Sequence, residues 1–180
     1  MASIITHIAI PCAIRLMAGK KNIPTLLLFY ACVASILPDF DVISFKLGIP
    51  YESDFGHRGF THSIVFALFV ALLGMLFSRY FQCKKRVAFS VLFISTVSHP
   101  LLDALTNGGH GVALWWPFVS DRLFLPWQPI EVSPIGIKLF FSEWGLRVLR
   151  SELITVWLPC LSVVALYHLL VSLFIKKREQ

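Results

Sequence analysis

Long apolar runs broken by short basic or aromatic stretches dominate the chain. A helix that crosses a bilayer needs about 20 mostly apolar residues, and five stretches approach that length: residues 2–19, 23–43, 63–82, 86–106 and 153–175. Residues 63–82 and 153–175 are almost uninterrupted. Residues 86–106 carry Ser95, His99 and Asp103, and residues 23–43 turn acidic after Pro38. Residues 2–19, interrupted by His7, Pro11 and Arg15, predict a tilted or re-entrant first helix. The segment 107–152 is too long for a plain loop and holds Trp115-Trp116-Pro117-Phe118 and Pro126-Trp127-Gln128-Pro129, aromatics that favour the headgroup layer. Within it, residues 136–150 alternate apolar and charged groups at helical spacing, which predicts a helix lying on the membrane surface. The pattern therefore predicts an all-α polytopic membrane protein. It forms one domain over 1–180, with about five membrane helices and with 107–152 as an aromatic-rich outer loop and interfacial helix.

Composition supports this. The chain is 57% hydrophobic with a mean hydropathy of +0.75, whereas soluble domains sit near 45–50% apolar. The excess faces lipid, so the bilayer is the expected partner. The net charge of +6 comes from runs that punctuate the apolar stretches: Lys20-Lys21, Lys84-Lys85-Arg86 and Lys176-Lys177-Arg178. No basic groove or nucleic-acid motif accompanies them, so nucleic acid is not an expected partner. With Lys20-Lys21 on the cytoplasmic side, all three clusters fall inside, as the positive-inside rule requires. The C-terminus is then cytoplasmic and residues 44–62 and 107–152 lie outside. The N-terminus lacks a basic n-region and a small-residue cleavage site, which predicts a retained first helix. Cys12, Cys32, Cys83 and Cys160 are scattered singly, giving neither a disulfide framework nor a thiolate zinc site.

Ionisable groups within spans cost about 2.5–3.5 kcal/mol each at a helix centre and need a reason. His99 and Asp103, four apart, share one helix face. An H-x-x-x-D pair either presents imidazole and carboxylate to one metal or merely neutralises its own burial. Asp39 and Asp41 follow Pro38, which ends or kinks the second helix. His57 and His62 flank Arg58-Gly59-Phe60-Thr61 before the third span, and His7 lies early in the first. Under the topology fixed by Lys and Arg alone, His7, Asp39, Asp41, His57, His62, His99 and Asp103 share one side and similar depth. Imidazole and carboxylate donors suit Zn²⁺ or Mn²⁺, and seven donors allow one or two ions. His110 and His168 stand apart from this group.

The blocks Thr6-His7, Pro38-Asp39-Phe40-Asp41, His57-Arg58-Gly59-Phe60-Thr61-His62-Ser63, Ser98-His99-Pro100-Leu101-Leu102-Asp103 and Trp116-Pro117-Phe118 resemble the YdjM family over most of residues 1–125. That family comprises LexA-regulated, inner-membrane, metal-dependent hydrolases. The resemblance implies an inner-membrane location, a link to the SOS response and metal-dependent hydrolysis. The ligand order is also similar to zinc-dependent phospholipase C and P1-type nucleases. This second resemblance implies Asp41 or Asp39, His57 or His62, His99 and Asp103 on one metal, and His7 with Asp103 on a second. No late His-x-x-x-Glu/Asp pair follows to complete a third site, and residue 1 is Met where those enzymes carry a ligating Trp.

The expectation is a membrane-bound hydrolase whose metal activates water against a phosphoester or lipid-linked ester. Asp39 or Asp41 would serve as general base and Arg58 would steady charge on phosphate. The alternatives are a non-enzymatic metal-binding or stress-response membrane protein, and a metal transporter, which would need polar groups continuing to the inner side.

Overall fold

A computed structural model describes residues 1–178. Helices α1 (Ile4–His7) and α2 (Ala9–Ala18) open the chain. Helix α3 (Thr25–Ile36) passes through a 3₁₀ turn, Leu37–Val42, into α4 (Ile43–Lys46). A second 3₁₀ turn, Phe60–His62, precedes α5 (Ile64–Leu76), and α6 spans Lys85–Ala104. After the long loop come α7 (Ile137–Phe140) and α8 (Glu143–Glu152), which runs through one π turn, Leu153–Trp157, into α9 (Leu158–Arg178). Among the described residues there is no strand. Isolated bridges, Thr106 with Ile130 and Val112 with Leu123, tie the loop to itself.

Helix α6 is the centre of the bundle, with α3 and α5 packed along it and α9 set against α2. Small residues allow this approach: a Cβ on Gly74 of α5 would meet Leu92 of α6 at 2.0 Å. At the end of α6 that carries Lys85, an apolar cluster of Ile23, Leu27, Ala31, Ala71, Phe81 and Leu92 closes the interior. Outward, Phe29, Val33, Phe69, Leu72 and Leu76 are exposed, and along α9 only Val164 is buried. A surface this apolar is matched to hydrocarbon.

Three helical stretches are long and apolar enough to cross a membrane: Thr25–Lys46, Lys85–Ala104 and Glu143–Arg178. The five expected spans are otherwise represented by two shorter apolar helices, Ile4–Ala18 and Ile64–Leu76. At 1.5 Å per residue the latter is about 20 Å long, short of a ~30 Å hydrocarbon core. The last six residues of the expected span, 77–82, leave the helix in turns, with Gln82 at a φ of 56°. Apolarity there reports burial against neighbours as well as against lipid, so it overstates helix length. The helix expected at 136–150 is present as α7 and α8, and it continues into the last span without an intervening loop.

Candidate metal centre

Pro38 shapes the first part of the centre. It has no N–H to give the α-helical ladder, and the chain tightens into a 3₁₀ turn. In an α-helix residues two apart point about 160° away from each other; in a 3₁₀ turn they lie about 120° apart. Asp39 and Asp41 can then both face inward, at 5% and 8% exposure, while Phe40 between them points out at 68%. The second part is the turn ahead of α5. A Cβ on Gly59 would meet the Asp54 carbonyl oxygen at 2.1 Å, so only glycine lets the chain double back tightly enough to bury both His57 and His62. Arg58 accepts a left-handed φ of 63° there, a strain of about 1–3 kcal/mol. It is held by its N–H donating to Asp41 Oδ2 at 2.9 Å.

Asp39, His62, His99 and Asp103 each place one donor atom within 4.8 Å of all the others, and all four are buried. His99 Nε2 lies 3.1 Å from His62 Nε2, 3.3 Å from Asp39 Oδ1 and 3.9 Å from Asp103 Oδ2. His62 Nε2 lies 3.9 Å from Asp39 Oδ1 and 3.5 Å from Asp103 Oδ2. Tetrahedral zinc with N and O ligands at about 2.0–2.2 Å has ligand–ligand edges of about 3.3–3.6 Å. The donor set is therefore close to the dimensions such an ion requires.

Outer partners fix which nitrogens face inward. His99 Nδ1 donates to the Ser35 carbonyl at 2.7 Å, and His62 Nδ1 lies 3.1 Å from Asp41 Oδ2. Both imidazoles thus turn their Nε2 atoms towards each other, an arrangement that a proton or a metal ion between them satisfies and that matches the usual support of a metal-bound histidine. Both oxygens of Asp39, Oδ2 of Asp103 and both nitrogens of His7 are buried without a hydrogen-bond partner. Buried carboxylates left unpaired are costly, and a divalent ion is a counter-charge that satisfies them together. Without an ion, His62 takes up a proton instead. Burial by itself would push its imidazole down, but hydrogen bonds to Asp103 and Asp41 and their charges outweigh burial and raise it to about 9.

The seven residues singled out from sequence divide into layers. His7 stacks on His99 with ring centroids 3.7 Å apart. Its Nε2 lies 3.8 Å from Asp39 Oδ2 and 3.6 Å from Asp103 Oδ1, facing the other oxygens of the same two carboxylates. Asp41 stands behind His62 and accepts from His57 Nδ1 at 2.5 Å, Arg58 N–H at 2.9 Å and Thr61 Oγ1 at 2.7 Å. His57 contacts the four-residue group only through Asp41 and His62. Arg58 is fully buried, with Nε 3.2 Å from Asp103 Oδ2 and its other nitrogens donating to the Gly108 carbonyl and Thr106 Oγ1. His110 is exposed beside Glu52, and His168 binds the Leu16 carbonyl between α9 and α2.

These blocks are carried on elements that span nearly the whole chain, and the family model of the YdjM inner membrane proteins matches residues 1–178. The chain belongs to the YdjM inner membrane protein family. Inner membrane protein YbcI of Escherichia coli (strain K12) is 46% identical to it over 160 residues, covering 88% of this chain and 92% of that relative. No solved structure matches. Membership of the YdjM family makes this an inner membrane protein, which accounts for the bare apolar surface of α9.

One carboxylate of this YdjM-family chain escaped the sequence reading. Glu152 is fully buried and accepts from Ser3 N–H at 2.5 Å, Ser3 Oγ at 2.6 Å and Thr6 Oγ1 at 2.8 Å. It moors the segment that also carries His7 and that sends the Ala2 N–H to Asp103 Oδ1 at 2.7 Å. A signal was available: Gly145, Val148 and Glu152 share one helical face, which is the buried face of α8.

Proposed function

We propose that this protein is a membrane-bound, metal-dependent hydrolase of phosphoesters or lipid-linked esters, with its centre on the outer side of the inner membrane. The observation that carries the reading is the convergence of one donor atom each from buried Asp39, His62, His99 and Asp103 within 4.8 Å of one another, with both Asp39 oxygens lacking a hydrogen-bond partner. These four residues would hold one ion, zinc by donor chemistry, with manganese the other candidate. His7 with the second oxygens of Asp39 and Asp103 forms a three-donor set for a second ion. A divalent ion supplies Lewis acidity towards water and towards a phosphoryl oxygen. The chain's own residues do the rest. Asp41 and the Ser35 carbonyl orient the imidazoles. Arg58, fully buried with its guanidinium committed to Asp103, Gly108 and Thr106, braces Asp103 and adds positive charge behind the centre. Asp39, the most exposed of the four, lines a cavity and marks the side from which water and substrate would reach the ion.

Orientation follows from charge. Lys21, Arg79, Lys84 and Arg86 meet at one end of the bundle. The His/Asp group lies towards the other end of the 20-residue α6, about 21–27 Å away along its axis. The basic end belongs in the cytoplasm. The apolar cluster at that end, formed by residues such as Leu27, Ala31, Ala71 and Leu92, favours hydrolysis over metal transport, which would need polar groups there. The test is metal analysis of the detergent-purified protein and of His99→Ala and Asp103→Ala, followed by assays on phosphomonoester, phosphodiester and lipid-ester substrates. Stoichiometric metal retained in both variants would refute the site; full metal content with no hydrolysis of any class would refute the enzyme. Labelling of a cysteine placed at Gly109 from the cytoplasmic side alone would reverse the orientation.

A further inference from the structure

Among the described residues, one cavity reaches the four-residue group, and its lining is mostly apolar. It has a volume of about 310 Å³, at the small end of ligand pockets, and runs between α1, the Leu37–Val42 turn and residues 133–141. Ile4, Ile5, Val42, Ile135, Phe140 and Phe141 form its walls, and Asp39 is its one carboxylate. The rim is open: Ile4, Ile5 and Ile135 are each about half exposed and Phe141 is 83% exposed. The wall residues Phe140 and Phe141 are set by the close approach of α8 behind them at Gly145, where a Cβ would meet the Phe140 carbonyl oxygen at 1.7 Å. A larger apolar groove between α3 and α5, about 470 Å³, includes none of the His/Asp group, so it provides an internal comparison.

We propose that the cavity at Asp39 is the seat of one hydrocarbon tail of a phosphoester lipid. The phosphoryl head would lie at Asp39 and the tail would enter from the bilayer past Ile4, Ile5, Ile135 and Phe141. The occupant follows from the two ends: a phosphoester fits the divalent ion that Asp39 would help to hold, and an apolar rim open to lipid is a poor gate for a water-soluble substrate but a continuous path for a chain already in hydrocarbon. The assignment rests on the hydrolase reading for its head group and on the cavity alone for its tail.

The experiment uses the full-length protein in phosphatidylcholine vesicles containing a trace of phosphatidic acid with a diazirine at the end of one acyl tail. After photolysis, label is located by peptide mass spectrometry and metal content is measured in parallel. Label is expected to concentrate in residues 3–5 and 133–141. Ile5→Trp and Ile135→Trp, which fill the cavity, should reduce that label by about tenfold, as expected for displacing a few methylene groups, with metal content unchanged. Leu73→Trp, in the comparison groove, should leave it unchanged. Diacylglycerol with the same tail should label the cavity several-fold less. Label spread over α9 and the α3–α5 groove, or label indifferent to both cavity-filling variants, would overturn the tail seat. Equal labelling by diacylglycerol would overturn the phosphoester head. Cavity labelling in a protein that binds no metal would support the seat while refuting the metal-dependent reading.

Discussion

Asp41→Asn separates residues that would hold the ion from those that orient them. Asp41 Oδ2 serves Arg58 N–H, Thr61 Oγ1 and His62 Nδ1, and Oδ1 serves His57 Nδ1. An asparagine can keep its carbonyl oxygen at the Oδ2 position and retain three of these partners. Its amide then faces His57 Nδ1, and the charge behind His62 is gone. Loss of such support typically weakens a metal site 10- to 100-fold, which is about 1.4–2.8 kcal/mol. If Asp41 were itself a ligand, removing its charged oxygen would abolish stoichiometric binding at micromolar ion. The assay is zinc competition against a chromophoric chelator in detergent, with near-ultraviolet circular dichroism to verify the fold. An affinity equal to wild type would refute the support role. Complete loss of metal from a folded variant would place Asp41 among the ligands.

Glu152→Ala leaves three donors of Ser3 and Thr6 facing a void, each costing about 1–3 kcal/mol; the melting temperature of the detergent-solubilised protein should fall by several degrees, and an unchanged value would refute the mooring. Gly59→Ala forces a Cβ into the Asp54 carbonyl and should abolish metal binding. Gly19→Ala meets nothing and bears only the strain of a φ of 78°, about 1 kcal/mol, so it should keep its metal; equal behaviour of the two variants would refute the steric argument. In the metal-free protein His62 is raised from 6.5 to about 9. Its protonation therefore contributes stability that is fully present below about 6.5 and is lost as pH rises through about 9. An ion must displace that proton, so metal affinity should rise about tenfold per pH unit towards pH 9; a flat profile between pH 7 and 8.5 would contradict the assignment.

How legible the centre was differs between its parts. His99 and Asp103 were readable as a pair because a four-residue spacing in a helix leaves only one relative placement. Asp39 and Asp41 were readable as candidates but not as distinct roles. Their division rests on a 3₁₀ turn that gives Asp39 to the shared centre and Asp41 to the back of His62. Glu152, just past the expected surface helix, carried no flag in the sequence, because its partners lie about 150 positions away.

The sequence by itself determined the environment: apolar runs that must leave water, basic breaks that orient them, and seven ionisable side chains whose burial demanded compensation. Those properties are free energies of transfer, which each segment carries alone. Tertiary structure decided how many stretches are long enough to span, that α8 and α9 are one continuous helix, and which donor atoms meet. A ligand set is fixed by differences of a few tenths of an ångström between atoms on separate elements, and those distances exist only once α3, α5 and α6 have packed around a common axis.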